Sequence, residues 1–191
     1  MKKKTLVYGS TDFGTVVREL IIHSGAHFAG FVDDWHSGAG IVGTLEQALR
    51  ECAPDEYDFA IAIGYKHLEA RLRKFQELRA LGYDLPAFIH PRAYVSDSSK
   101  VGEGCLIMAH ATLDVRSQVG DMVVLWPGAV INHDSVIDGN TFISPNATVC
   151  GFCQIGFGTF VGAGAVIVDH TCVEQGAFIK AGTVFHRRVH P

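Results

Sequence analysis

The sequence predicts two structural classes in succession: a small α/β unit over residues 1–90 and a parallel β-helix over residues 91–191. Two patterns carry this reading. The first half alternates short apolar β-type runs with amphipathic helical stretches, and the second half repeats large apolar residues with an unbroken period of six. Composition agrees, because 48% hydrophobic against 19% charged residues, with 21 Gly and only 6 Pro, excludes disordered and collagen-like chains. A chain of 191 residues buries a core without disulfide or metal staples.

In the first half, Lys4–Tyr8 reads as a strand running into the turn Gly9-Ser10-Thr11-Asp12-Phe13-Gly14. An amphipathic helix follows, with Phe13, Val16, Val17, Leu20 and Ile21 on one face. His27–Val32 is a second strand, ending in Asp33-Asp34, and Thr44 with Gln47 has the spacing of a capping box that starts a short helix. Asp58–Ile63 is a third strand, ending at Gly64. Lys66–Leu81 is a helix with Leu68, Leu72, Phe75 and Leu78 inward, and Ala87–Ile89 is a last strand before His90-Pro91. Alternating β and α elements build a parallel sheet whose ligand crevice lies at the carboxyl ends of its strands, and Gly9, Asp33 and Gly64 all fall there. The dinucleotide fingerprint is absent, since Gly9 and Gly14 stand five apart with no central glycine. The turn therefore suits either a nucleotide or a structural glycine. Asp33 and Asp34 are either solvated carboxylates or partners for a ribose or base.

In the second half, every sixth residue from Val95 to Phe185 is large and apolar, sixteen in all, without an insertion. Two residues before each stands one no larger than Val: Ala93, Ser99, Cys105, Ala111 and so on to Thr183. Period six fits neither a helix of 3.6 residues per turn nor a simple alternating strand. It suits a short strand followed by a corner, with large residues filling the interior and small ones permitting the bend, so stacked turns make a parallel β-helix.

Charge and cysteine usage narrow the function classes. Lys and Arg number 10 against 12 acidic residues up to residue 90, and 6 against 8 beyond it, so neither half carries the basic footprint of a nucleic-acid or membrane-surface protein. The apolar stretch after Met1-Lys2-Lys3-Lys4 is too short for a signal-peptide core. The longest apolar run, Met122–Ile131, is broken by Pro127 and Gly128, far below the roughly 20 residues that span a bilayer. The expectation is a soluble, cytoplasmic protein with reduced thiols. Cys150-Gly151-Phe152-Cys153 has redox spacing, but the repeat accounts for Cys153 as a small inward residue. His110 and His133 suggest a zinc site of the γ-carbonic-anhydrase kind, yet Asp138 stands where the third ligand would be, so no metal is expected.

The repeat resembles the hexapeptide repeat of left-handed β-helix acyltransferases, in which three hexapeptides make one triangular coil. That prism also hosts carbonic anhydrases and nucleotidyltransferase tails. With the first half included, nearly the whole chain resembles the bacterial nucleotide-sugar acetyltransferases: the UDP-4-amino-sugar and GDP-perosamine N-acetyltransferases and the related sialic-acid O-acetyltransferases. The residues that carry the resemblance are Tyr8–Gly14, Phe31-Val32-Asp33-Asp34, Ala60–Gly64, Phe88-Ile89-His90-Pro91 and, above all, Ile131-Asn132-His133-Asp134-Ser135-Val136-Ile137.

The resemblance implies a Rossmann-like N-terminal domain that binds a nucleotide sugar, followed by the acyltransferase β-helix. It implies His133 as general base and Asp134 as the acid that raises its basicity. An imidazole is suited to take a proton from an attacking amine or hydroxyl near neutral pH. It places the nucleotide sugar against Thr11, Asp12, Phe13, Asp33, Asp34 and Gly64. Acetyl-CoA is implied as co-substrate, lying along Phe142, Ala163 and Ala181, with Lys180, Arg187 and Arg188 near its phosphates. A homotrimer with the active site between subunits completes the expectation. Three departures stand out: Asp12-Phe13 replaces a Gly-His pair, Phe142 replaces a second His near the thioester, and Leu125-Trp126-Pro127 replaces Ile-Asn-Thr. The expected activity is N-acetylation of a nucleotide-linked amino sugar by direct transfer. The alternatives are O-acetylation of sialic acid or another sugar, and a catalytically reduced nucleotide-sugar-binding homologue.

Overall fold

A computed structural model describes residues 3–186. The chain divides between Phe88 and Ile89 into two compact units. In the first, β1 (Lys4–Tyr8), β2 (His27–Val32), β3 (Ile41–Gly43) and β4 (Tyr57–Ile61) form one sheet in the order β3-β2-β1-β4, parallel throughout. Helix α1 (Asp12–His23) joins β1 to β2, helix α2 (Leu45–Glu51) joins β3 to β4, and helix α3 (Leu68–Ala80) follows β4. The strand order reverses beside β1, which puts the crevice at its carboxyl end. Gly9 (φ 106°) makes the turn there, and Gly14 lets α1 approach it, because a Cβ on Gly14 would lie 2.2 Å from the Gly9 carbonyl oxygen.

Several expectations change here. The fourth strand of this sheet is Ile41–Gly43, three residues too short to show an alternation, while Phe88–Ile89 joins a sheet of the second unit instead. Helix α1 buries Gly14, Val17, Leu20 and Ile21 but leaves Val16 37% exposed, so its inner face is centred on the glycine side of the stripe. A 3-10 turn, Tyr65–His67, precedes α3, whose buried residues are Arg71, Phe75 and Leu78; Leu68 and Leu72 are only half-buried. The Thr44–Gln47 capping box forms as read, each side chain accepting from the other residue's backbone N–H.

The second unit is a parallel β-helix. Its two-residue strands run from Phe88–Ile89 to Val184–Phe185 and stack in three parallel sheets of five, six and six strands. Each strand pairs with the one eighteen residues on, as Val130-Ile131 with Thr148-Val149 and then Val166-Ile167. The six-residue rows are its core: Ile107, Leu113, Leu125, Ile131, Ile137, Ile143, Val149, Val161 and Ile167 are fully buried. Small inward residues bridge coils, as Ser135 Oγ donates to the Cys150 carbonyl at 2.7 Å and Thr159 Oγ1 to the Glu174 carbonyl at 3.1 Å. Cys153 occupies the same row, fully buried, with its thiol pushed up chiefly by burial, and all five cysteines are free. Left-handed backbone closes the corners, at Arg116, Asp134, Phe152 and His170 (φ 56–60°) on the corner that matters most below. Among the described residues, no helix is long and apolar enough to cross a membrane, and no group of three or more His, Cys, Asp or Glu has a metal-holding arrangement.

Candidate active site

Inward-facing Ile131 anchors the strand that leads to His133, and the Asn132 side chain donates to the Val149 carbonyl at 3.0 Å, tying this coil to the next. The chain then turns sharply at Asp134. His133 and Asp134 thus project from a corner, where the His133 side chain is 47% exposed. Arg116, one coil earlier, grips the Asp134 carboxylate with both arms, Nε to Oδ1 at 2.6 Å and Nη2 to Oδ2 at 2.8 Å. Those hydrogen bonds, with a smaller contribution from His133, hold the Asp134 carboxyl down at about 2. Being ionised, it can only accept, so the 3.0 Å contact between His133 Nδ1 and Asp134 Oδ2 is donated by the imidazole. Nε2 is then the ring nitrogen with a lone pair to offer.

The coil that follows shapes the other side of the ring. Gly151 lies under the imidazole, and a Cβ there would stand 2.8 Å from His133 Cε1 and 2.9 Å from Nε2. Phe152 meets the ring edge-on, with centroids 5.2 Å apart, and stacks on His170 at 4.9 Å. Arg116, Gly151 and Phe152 were not picked out by sequence reading. The available signal was the coil length, because they lie one coil away from the His133-Asp134 pair.

In the first unit, the residues at the strand ends come together. Asp33 is 4% exposed, and both its oxygens are taken by this chain. Oδ2 accepts from the Ser10 N–H (2.9 Å) and Ser10 Oγ (2.6 Å), while Oδ1 accepts from the N–H of Trp35 (2.9 Å) and of His36 (3.0 Å) and from His36 Nδ1 (3.0 Å). Burial alone would raise its pKa, but these donors outweigh it and hold the carboxyl far below the usual range. Asp33 is therefore the pin that fixes the Gly9 turn against the 34–36 loop, rather than an acceptor left open for a ligand. Exposed Asp34 accepts from the Leu45 N–H at the start of α2 (2.8 Å) and from Tyr8 Oη (2.6 Å), and burial together with this carboxylate pushes the Tyr8 phenol up. Thr11 and Asp12 are exposed and Phe13 half-buried where α1 begins, and nothing lies within 4 Å of a Cβ on Gly64. Trp35, 79% exposed on this rim, and His36 carry no family signature and were missed.

The acyl-donor residues divide. Ala163 and Ala181 are exposed and stacked on one corner, the Gly182 N–H donating to the Ala163 carbonyl at 2.9 Å. That corner follows a different sheet from the one leading to His133. Phe142 does not join them: it lies on the outer side of its strand and is 1% exposed, which leaves its ring no free surface for a thioester. Lys180 is exposed; Arg187 and Arg188 lie outside the described residues.

A small parallel α/β unit followed by a parallel β-helix is the architecture of the sugar acetyltransferases with which this chain compares. The family profile described as PglD N-terminal domain matches residues 4–78. The acetyltransferase domain of PglB from Neisseria gonorrhoeae FA1090 superposes with a TM-score of 0.92 at 30% identity, over 98% of this chain and 94% of that one. Its complex with acetyl coenzyme A gives 0.91 at 32% identity, over 97% and 91%. PerB from Caulobacter crescentus, in complex with CoA and GDP-perosamine, gives 0.89 at 26% identity, over 97% and 90%. Among curated proteins, UDP-N-acetylbacillosamine N-acetyltransferase of Bacillus subtilis (strain 168) is 34% identical over 119 residues, 56% of this chain. The match spans about half, 52%, of that curated relative's length. The chain belongs to the nucleotide-sugar acetyltransferase family.

Proposed function

We propose that this protein transfers an acetyl group from acetyl-CoA to the amino group of a nucleotide-linked amino sugar, directly and with His133 as general base. The observation that carries the reading is the corner dyad: an exposed imidazole whose Nδ1 is committed to an ionised Asp134, in a chain whose relatives were solved with acetyl-CoA and with CoA plus GDP-perosamine. In the reaction, the sugar amine attacks the thioester carbonyl carbon, forming a C–N bond while Nε2 of His133 takes the amine proton. The C–S bond breaks, the sulfur leaves with its electron pair, and the proton on the imidazolium returns to it. Asp134 holds the tautomer and stabilises the imidazolium. Cys105 and Cys153 are fully buried in the inward row, which removes both as nucleophiles for an acyl-enzyme.

The nucleotide sugar docks in the crevice framed by Thr11, Asp12, Phe13, Asp34 and Gly64, with Asp33 keeping that frame in shape. The exposed Ala163 and Ala181 corner takes the extended arm of the acyl donor, since small side chains let a ligand reach the main chain. Because that corner and the His133 corner follow different sheets, a homotrimer brings one subunit's donor groove beside another's base. The half-buried outward row Thr112, Val130, Thr148 and Val166, free of charge, suits such a contact. Both co-substrates place the reaction in the cytoplasm. The test is CoA release, followed with a thiol-reactive dye, from acetyl-CoA with GDP-perosamine or a UDP-linked 4-amino sugar as acceptor. The rate falls about 10²- to 10⁴-fold in His133→Ala if the imidazole is the base. A mutant as active as the native protein refutes it.

A further inference from the structure

We propose that Arg116 is a positioning residue for the acetyl transfer, acting on His133 through Asp134; the inference rests on His133 being the base. Three observations meet at this corner. Asp134 Oδ2 is shared between Arg116 Nη2 (2.8 Å) and His133 Nδ1 (3.0 Å), while Oδ1 takes Arg116 Nε (2.6 Å). A carboxylate on a single-bond stem turns freely, and a bidentate guanidinium fixes its plane, so the direction in which Oδ2 points at the imidazole is set by Arg116. The coil register makes that possible: Arg116 and Asp134 are eighteen residues apart, both in left-handed backbone, stacked on the same corner of successive coils. The Arg116 N–H donates to Ser98 Oγ (3.0 Å), one coil earlier again, and the Asp134 N–H donates to the Val115 carbonyl (3.0 Å). The clamp is therefore referenced to the β-helix and not to a mobile loop.

The chemistry gives the clamp its purpose. A general base works only when the nitrogen with the lone pair faces the acceptor, and an imidazole held by one hydrogen bond from Nδ1 keeps that orientation only as well as its partner is held. The alternative role for Arg116, holding the fold, is a weak one. Its side chain is 63% exposed, and exposed ion pairs contribute little to stability. A lysine would keep the charge but lose the two-pronged geometry.

The experiment is a mutant cycle in the native assembly. Arg116→Met lowers kcat by ~10-fold, part of the ~10²-fold that a misplacement of about 1 Å can cost. KM for acetyl-CoA and the melting temperature stay unchanged, and Arg116→Lys recovers only part of the loss. In an Asp134→Asn background, Arg116→Met produces no further loss, because residues acting as one unit are non-additive. Equal kcat in Arg116→Met and the native protein, or additive losses in the double mutant, overturns the proposal. Activity retained in His133→Ala instead overturns the reading beneath it. A second readout needs no turnover: ¹⁵N-histidine NMR, with the His133 signal assigned by its loss in His133→Ala. The native protein shows the Nδ1–H tautomer, and Arg116→Met shows a mixture; identical spectra sink the proposal.

Discussion

The imidazole of His133 lies against Gly151 so closely that a methyl group added to the glycine would come within 2.8 Å of Cε1. Gly151 is not in the left-handed region of backbone space, so its lack of a side chain serves the ring above it rather than the turn. The base is held from two directions: Asp134, steadied by Arg116, takes its Nδ1, and the bare backbone of the next coil gives its face somewhere to rest.

Gly151→Ala forces the ring to shift by several tenths of an ångström while leaving the coil intact. The expected outcome is a fall in kcat of about 10- to 10²-fold, of the size seen when a reacting group is displaced without being lost. KM for the nucleotide sugar and the circular dichroism spectrum stay as they are. A full-rate Gly151→Ala protein shows that the ring's seat is immaterial.

Ala163→Trp places a large ring on an exposed corner and meets no packed core. Acetyl-CoA binding, followed by calorimetry, is lost, whereas nucleotide-sugar binding and the sedimentation coefficient are kept. Unchanged acetyl-CoA affinity moves the donor groove elsewhere.

Asp33→Ala leaves the donors of Ser10, Trp35 and His36 without their acceptor. Unpairing a buried hydrogen-bonding group costs about 1–3 kcal/mol, and here the loss shows both in stability and in nucleotide-sugar affinity. Equal affinity in mutant and native protein removes the pinned loop from the binding site.

The same carboxylate sets an acid limit. Its folded pKa is depressed below the unfolded value of about 3.9, so its contribution is complete above that pH and is lost as pH falls below it. Chemical denaturation at a series of pH values therefore shows the native protein weakening more steeply than Asp33→Asn, which has no charge to lose, as the pH falls below about 4. Parallel curves for the two proteins contradict this.

Sedimentation equilibrium at micromolar concentration is expected to give a trimer. A monomer that still turns over acetyl-CoA shows that one chain assembles the whole site.

The β-helix was legible because its rows are strict: sixteen large residues at a fixed spacing leave one way to close the chain. His133 and Asp134 were legible through the motif around Ile131 and Ile137. The less visible features depend on contacts across coils or between chain-distant strands. Ile41–Gly43 is too short to show a period, and Arg71 is fully buried on a helix face that propensity assigns to leucines. Phe142 looked like a site residue because of the histidine it replaces, yet its ring is buried on the outer side of the strand, in register with Val124 of the preceding coil, a covering that the period of six does not reveal. Asp33 was read as a ligand partner. Its five intrachain donors could not be foreseen, because three of them belong to Trp35 and His36, in a loop without a pattern.

The stacking of coils gives the second half of the chain something like a reading frame. Removing the eighteen residues that follow Asp134 would keep every later strand on its own sheet, with Asp169 in the place of Gly151, but removing six would turn everything downstream by one side of the prism. Above His133 would then come Phe157 instead of Gly151, a bulky ring where the imidazole now rests. Length changes in this region therefore keep the three sheets in register only in steps of whole coils, and they keep the seat of His133 only where a glycine still comes to stand against the ring, even though the hydrophobic rows would look equally intact in every case.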